Sequence, residues 1–207
     1  MNKTDYFKYI TEEIHTVVMA TVDDENLPVT CVIDIMDWDE GGLYFLTAKG
    51  KGFYERLKKR KFAAFSASIG KDTLSSKAVS VRGKTAEVGE GMVDLLINKN
   101  PYMNEIYPTS KSKTALTVFK LYDGVGEWFD LSKKPIERET FIFGGNVKTG
   151  YNYYINEKCT GCGKCSEVCP QGAVKKDKIP YVINNRNCLH CGNCERICPI
   201  SAVERRM

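Results

Sequence analysis

Two copies of one cysteine pattern constrain this chain more than any other feature. "CTGCGKCSEVCP" starts at Cys159 and "CLHCGNCERICP" at Cys188, each C-x-x-C-x-x-C-x-x-x-C-P, with a period of 29 residues. A fixed period of that size marks a repeated structural unit. Three thiolates on one tight loop can wrap three corners of an iron–sulfur cube, and the fourth then comes from elsewhere in the chain. Zinc sites usually place two ligands, a long spacer and two more. Here three cysteines fall within seven residues and Pro170 or Pro199 follows the fourth, so the spacing favours iron. Gly163 and Gly192, after the second Cys of each run, let the backbone approach a cluster sulfur. The apolar lead-ins "YYIN" and "YVIN" predict short paired strands beside each loop.

Over residues 151–207 the pattern resembles the two-cluster bacterial ferredoxins. In that arrangement the fourth Cys of each run ligates the other cluster. The resemblance therefore implies one [4Fe-4S] cluster on Cys159, Cys162, Cys165 and Cys198, and a second on Cys188, Cys191, Cys194 and Cys169. Residues 151–207 carry 9 Lys/Arg against 5 Asp/Glu, whereas residues 1–150 carry 21 of each. Two oxidised cubanes at roughly −2 each would about cancel that excess, and net charge is one determinant of cluster potential.

The remaining chain has ordinary globular composition, 43% hydrophobic and 27% charged. The runs "TVVMATV" and "FAAFSASI" are far short of the roughly 20 residues needed to span a bilayer. No basic-then-apolar leader opens the sequence, so free thiols, a reducing compartment and a cytoplasmic location are expected. "RLKKRK" from Arg56 to Lys61 reads as a solvated helix end, where cations are favoured. Neither nucleic acid nor membrane is an expected partner.

"TDYFKYITEEIHT" predicts an amphipathic helix with Thr4 as N-cap. Strands follow in "HTVVMATV", "LPVTCVIDIMDW", "LYFLTA", "KFAAFSASI" and "AVSVRGKTAEVG", and "TALTVFKLYDGVGEWFDL" reads as a final long hairpin. "FYERLKKR" and "MVDLLINKN" predict short helices. About six strands with two or three helices point to an antiparallel barrel. The fold class expected is a mainly β N-terminal split barrel with short helices, plus a small α+β two-cluster ferredoxin-like domain. Expected bounds are 1–142 for the barrel, 143–152 for a linker ("FGGNVKTGYN") and 153–207 for the cluster domain.

Over about residues 10–130 the order of elements resembles the FMN-binding split-barrel family of pyridoxamine-phosphate oxidases, flavin reductases and nitroimidazole-resistance-type proteins. The best segment is "GLYFLTAKGKGFYERLKKRKFAAFSAS", in which strand, basic Gly-containing turn, helix and strand succeed one another. The resemblance implies that this turn holds the FMN phosphate. Lys49 and Lys51 supply cations, Gly50 permits close approach, and the helix that follows offers unpaired N–H groups. Thr47 can donate a hydrogen bond, Arg82 can add charge, and Thr30, Cys31, Val32 and Ile33 would give backbone contacts to the isoalloxazine. As sequence alone, Lys-Gly-Lys-Gly also reads as a solvated turn, Thr47 as an ordinary strand residue and Arg82 as a surface residue. The Cys31 thiol reads as core, Trp128 as packing, and His15 and His190 as surface positions.

The barrel ends "GEWFDLSKKPIERET", without the Arg-Leu substrate segment of the true oxidases, so their reaction is not expected. No catalytic acid or base stands out. A flavin exchanges one or two electrons and a cubane one, so a chain holding both converts between the two. The expectation is an FMN- and iron–sulfur-dependent oxidoreductase in an anaerobic setting, a homodimer by resemblance, served by a low-potential redox partner protein. A non-enzymatic electron carrier, or a barrel holding heme or deazaflavin, stays open.

Overall fold

A computed structural model describes residues 2–145 and 147–206. Met1, Met207 and Asn146, which falls inside the expected linker, lie outside the described residues. The chain forms two compact units: Met1–Ile69, Val79–Gly126 and Phe141–Val147 in the first, and Gly70–Ala78, Glu127–Thr140 and Lys148–Met207 in the second.

The first unit opens with α1 (Lys3–Tyr9). Its N-cap is Asn2 rather than Thr4. The Asn2 side chain accepts from the Asp5 N–H while Asp5 accepts from the Asn2 N–H, and Thr4 only donates to Asn2 Oδ1. Such a reciprocal box satisfies two otherwise orphaned donors. Helical backbone continues as a π-turn over Ile10–Ile14 and stops at His15, whose φ is 59°.

Three antiparallel strands follow, β1 (Thr16–Val22), β2 (Pro28–Asp39) and β3 (Gly42–Ala48). The β1–β2 turn is held by Asp23 Oδ1, which accepts from the N–H groups of Glu25 and Leu27. After α2 (Gly52–Arg60) come β4 (Phe62–Ile69) and β5 (Lys77–Gly89). The short helices α3 (Val93–Lys99), α4 (Met103–Ile106) and α5 (Ser110–Lys113) lead to β6 (Leu116–Asp130) and β7 (Glu137–Phe143).

Strand order is β3-β2-β1-β4-β5-β6-β7, and a further β3–β6 pairing closes the first six strands into a barrel. Closure runs from Gly42↔Tyr122 to Ala48↔Leu116. Gly42 is needed there, because a Cβ would overlap the Leu121 carbonyl oxygen. Phe45 and Phe119, directly opposite in this register, stack with ring centroids 5.9 Å apart inside the barrel. A bulge at Ile35/Asp37 lets consecutive Ile35 and Met36 both be buried. Met36 thereby joins Leu46, Leu116 and Val118 in a second core capped by Val93, Leu96 and Ile97 of α3.

The expected hairpin at 114–131 is instead the single strand β6, and its partner β7 lies beyond it. The reason is packing. Gly124 and Gly126, which read as turn formers, leave room for the rings of Phe143 and Phe141. Phe141 in turn stacks on Tyr6 of α1 at 4.5 Å.

The second unit contains β8 (Asn152–Ile155), α6 (Lys164–Glu167), β9 (Val174–Lys175), β10 (Val182–Ile183), α7 (Asn193–Ile197) and β11 (Val203–Arg206). The strands before the two cysteine loops do not pair with each other. β8 pairs with β11, after the second loop, and β10 with β9, after the first. This crossing folds each half of the repeat against the other.

Candidate functional site

Two cavities in the second unit collect the thiols. One is lined by Cys159, Cys162, Cys165 and Cys198, with Ile155, Tyr181 and Ile200 among its walls, and encloses about 320 Å³ of partly open space. The other, of about 370 Å³, is lined by Cys169, Cys188, Cys191 and Cys194, with Tyr153, Val174 and Ile183. The structure thus brings together the two cysteine sets expected from the sequence, each with three thiols from one run and the fourth from the other. Among the described residues no three His, Cys, Asp or Glu side chains close on one point as the ligands of a single ion do.

Backbone geometry repeats with the pattern. Gly163 and Gly192 both take left-handed φ, 85° and 76°, and open α6 and α7. The Ala173 N–H donates to Cys169 Sγ and the Ala202 N–H to Cys198 Sγ, each at 3.2 Å. Burial works to raise the Cys198 thiol, but the backbone N–H groups of Ile200, Ala202, Val203 and Ser201 outweigh it and hold it below the ordinary value. Burial pushes Cys165 up, with added repulsion from Cys159 and Cys162. It raises Cys188 likewise, with repulsion from Cys169 and Cys191, and takes Cys194 to about 11. As bare thiols Cys165, Cys188 and Cys194 resist ionisation, whereas metal ligation favours the thiolate.

The sequence reading missed that residues 127–140 belong to this unit. The Ile136 N–H donates to Gln171 Oε1 at 2.8 Å, Asn187 Nδ2 donates to the Ile136 carbonyl at 3.1 Å, and the Arg138 N–H donates to the Arg186 carbonyl at 2.6 Å. The β6–β7 hairpin is therefore tied to both halves of the cysteine repeat. His190, expected at the surface, is partly buried beside Tyr151 and Tyr153 and lies 2.8 Å from Arg138 Nη1. His15 is partnered too, with its Nε2 3.0 Å from the Tyr102 hydroxyl, which donates to Asp34.

In the barrel unit the structure gathers some of the expected phosphate residues and separates others. Lys51 is the N-cap of α2 with no side-chain cap of its own, so the first N–H groups of the helix keep their donor capacity. No atom outside its own neighbourhood lies within 4 Å of a Cβ built on Gly50, so the turn is open. Burial raises the Cys31 thiol, and the charges of Arg56 and Lys51 oppose the rise; Arg56 Nε donates to Thr21 Oγ1 at 2.8 Å, and Thr21 lies opposite Val29, next to the Thr30–Ile33 strand. Arg56, on α2, was not singled out in the sequence; its position one turn into a helix after the basic turn was the available signal. Thr30 and Val32 lie on the exposed face of β2, while Cys31 and Ile33 alternate inward opposite Met19 and Val17.

Three expected contributors are placed differently. Thr47 is only 3% exposed, faces inward with Phe45, and its hydroxyl has no hydrogen-bond partner among the described residues. Lys49 Nζ is 2.5 Å from Glu90, an exposed pair of small energetic weight that a phosphate can displace. Arg82 cannot share a phosphate with Lys49 of the same chain. The Lys49 N–H bonds the Ala115 carbonyl, whereas the Arg82 carbonyl abuts Gly124, so roughly 30 Å of strand separates them.

Residues 151–199 match the family model described as a 4Fe-4S dicluster domain. Comparison with curated proteins gives no match. Among solved structures, a NimC/NimA family protein from Clostridium acetobutylicum aligns with a TM-score of 0.55 at 17% identity, over 67% of this chain and 90% of that one. A protein of the same organism related to general stress protein 26, of the pyridoxinephosphate oxidase family, gives 0.51 at 15%, over 65% and 90%. PhzG from Burkholderia lata, solved with tetrahydrophenazine-1-carboxylic acid, gives 0.50 at 14%, over 66% and 80%. The chain therefore joins a closed six-stranded barrel, of the fold seen in NimC/NimA and pyridoxinephosphate-oxidase-family structures, to a C-terminal 4Fe-4S dicluster domain.

Proposed function

We propose that this protein is an FMN- and iron–sulfur-dependent oxidoreductase in which two [4Fe-4S] clusters and a barrel-bound FMN exchange electrons. The observation that carries the reading is the pair of thiol-lined cavities with crossed cysteine sets. Cys159, Cys162, Cys165 and Cys198 would hold one cluster and Cys169, Cys188, Cys191 and Cys194 the other. Bound clusters supply one-electron steps, and FMN can pair them into two-electron chemistry. The chain's own residues determine access. Cys162 and Cys191 are exposed, which marks an edge of each cavity open to a redox partner, whereas Cys165 and Cys188 are buried.

For FMN, Lys51, Arg56 and the N-terminus of α2 would take the phosphate, with Gly50 leaving space for it. The strand Thr30–Ile33 would line the ring. The barrel fold supports this reading, since one structure sharing it is described as of the pyridoxinephosphate oxidase family. A homodimer is part of the proposal. Val32 is 68% exposed and Val18, directly opposite it in register, 49%, an apolar pair on the outside of the barrel beside the same strand. A low-potential electron-carrier protein in a reducing compartment is the expected partner.

Anaerobic purification with iron and sulfide assays, an absorbance spectrum and identification of released cofactor tests this. About eight iron per chain together with FMN is expected. Zinc in place of iron overturns the whole reading, and heme or deazaflavin in the extract overturns its barrel half. Rapid anaerobic turnover of a small oxidant separates an enzyme from a carrier that reduces only protein partners.

A further inference from the structure

The two cysteine loops are alike in backbone but not in surroundings. Gly161, with φ 73°, corresponds to His190, with φ 55°, one residue before the second Cys of each run. A side chain at Gly161 would collide with Ile179, and its carbonyl accepts from the Tyr181 hydroxyl at 2.7 Å, so the first loop is covered by neutral groups. At the second loop, the corresponding residue meets a cation. The Arg138 side chain is 8% exposed, bonded through Nη2 to Glu127 at 2.6 Å and through Nη1 to His190 Nε2 at 2.8 Å.

Arg has no acceptor, so His190 Nε2 must be the unprotonated nitrogen and Nδ1 carries the hydrogen. A neutral imidazole thus stands between a fixed guanidinium and the loop that carries Cys188 and Cys191. The Glu127 side chain is 36% exposed and is bonded on the other arm of the guanidinium, so the positive end of the pair faces the cysteine loop. Glu195, the other carboxylate nearby, is paired with Arg205 at 3.5 Å. Lys164 at the rim of the first cavity is exposed and screened by water.

We infer that Arg138, delivered by the β6–β7 hairpin, sets the cluster held by Cys169, Cys188, Cys191 and Cys194 at a higher reduction potential than its twin, and so orders the two clusters. This rests on the iron–sulfur reading above. Reduction adds one negative charge to a cluster, and a buried cation with little solvent to screen it stabilises that added charge. Within the pair, one electron leaves the cluster on Cys159, Cys162, Cys165 and Cys198, which is oxidised. It arrives at the cluster beside Arg138, which is reduced.

The test is a redox titration of the full reconstituted chain followed by electron paramagnetic resonance, with iron content measured on each sample. Wild type should show two [4Fe-4S] waves. Arg138→Gln should lower the upper wave alone, with a reduced-to-oxidised ratio about tenfold smaller at fixed potential, equivalent to about 59 mV. Glu127→Gln removes the counter-charge and should raise that same wave. Opposite shifts of one wave are not what a merely structural contact produces. Unmoved waves, equal shifts of both, a shift of the lower wave, or same-sign shifts in the two variants overturn the inference. Should Arg138→Gln lose iron, Glu127→Gln decides by itself, since an upper wave that does not rise refutes the role. Wild type lacking two [4Fe-4S] signals sinks the underlying iron–sulfur reading instead.

Discussion

Lys51 has one job to do if the basic turn holds a phosphate. It caps α2 without satisfying the helix's first N–H groups, so Lys51→Ala should weaken FMN retention about tenfold or more. Iron content should not change; equilibrium dialysis of FMN against the variant, with an iron assay, checks both. Arg56→Ala should act in the same direction and add loss of the Thr21 hydroxyl contact at 2.8 Å. Arg82→Ala, on a distant stretch of β5, should leave the same chain's phosphate grip intact, which a dimer with mixed Lys51→Ala and Arg82→Ala subunits can read. Lysine and glycine in "TAKGKGF" were legible as an open basic turn before a helix because both properties are written in residue type. Arg56 was not, because helical phase brings its guanidinium to the Thr21 hydroxyl and only a built helix supplies that phase.

Elements explain where the pattern misled. β6 carries Asp123-Gly124 and Gly126, a composition that locally favours a turn, yet the strand runs unbroken because the space above those glycines is occupied by Phe143 and Phe141. Gly126→Val should push Phe141 out of its stack with Tyr6 and cost on the order of 1–3 kcal/mol, as overpacking does. Urea denaturation monitored by aromatic fluorescence reads that cost, and unchanged stability would show that the ring yields freely. On the outer side of the barrel, Leu96 of α3 is fully buried against Leu46 and Val118, and Leu96→Ala should cost about 2–5 kcal/mol. Alternation along β1, β4 and β5 was readable in the sequence because each of these strands has one buried face, whereas the pairing partner of the last strand depended on rings remote in the chain.

At the scale of the molecule, the cluster unit has a thin core of its own. Tyr153, Cys165, Ala173, Val174, Ile183, Cys188 and Val203 are its buried members, and two of these seven are cluster thiols. So small a core usually needs a metal to hold it. Removing iron with chelator under mild oxidation should therefore open Lys148–Met207 to protease, and with it Glu127–Thr140, whose bonds to Gln171, Arg186 and Asn187 lose their support. Strands β1 to β3 should keep their protection. Limited proteolysis with mass mapping distinguishes this from loss of the C-terminal segment alone, which is the outcome if residues 127–140 belong energetically to the barrel.

By itself the sequence determined the 4Fe-4S dicluster pattern, because eight cysteines at fixed short spacings are a property of chain connectivity that tertiary packing can only complete. It also determined the barrel's strand alternation and the position of the basic turn, both local properties. Tertiary structure alone decided that β6 is one strand, that Arg82 stands far from Lys49, and that Arg138 reaches His190. Each of those depends on residues brought together across long loops, and the Arg138–His190 juxtaposition that distinguishes the second cysteine loop spans 52 positions of chain.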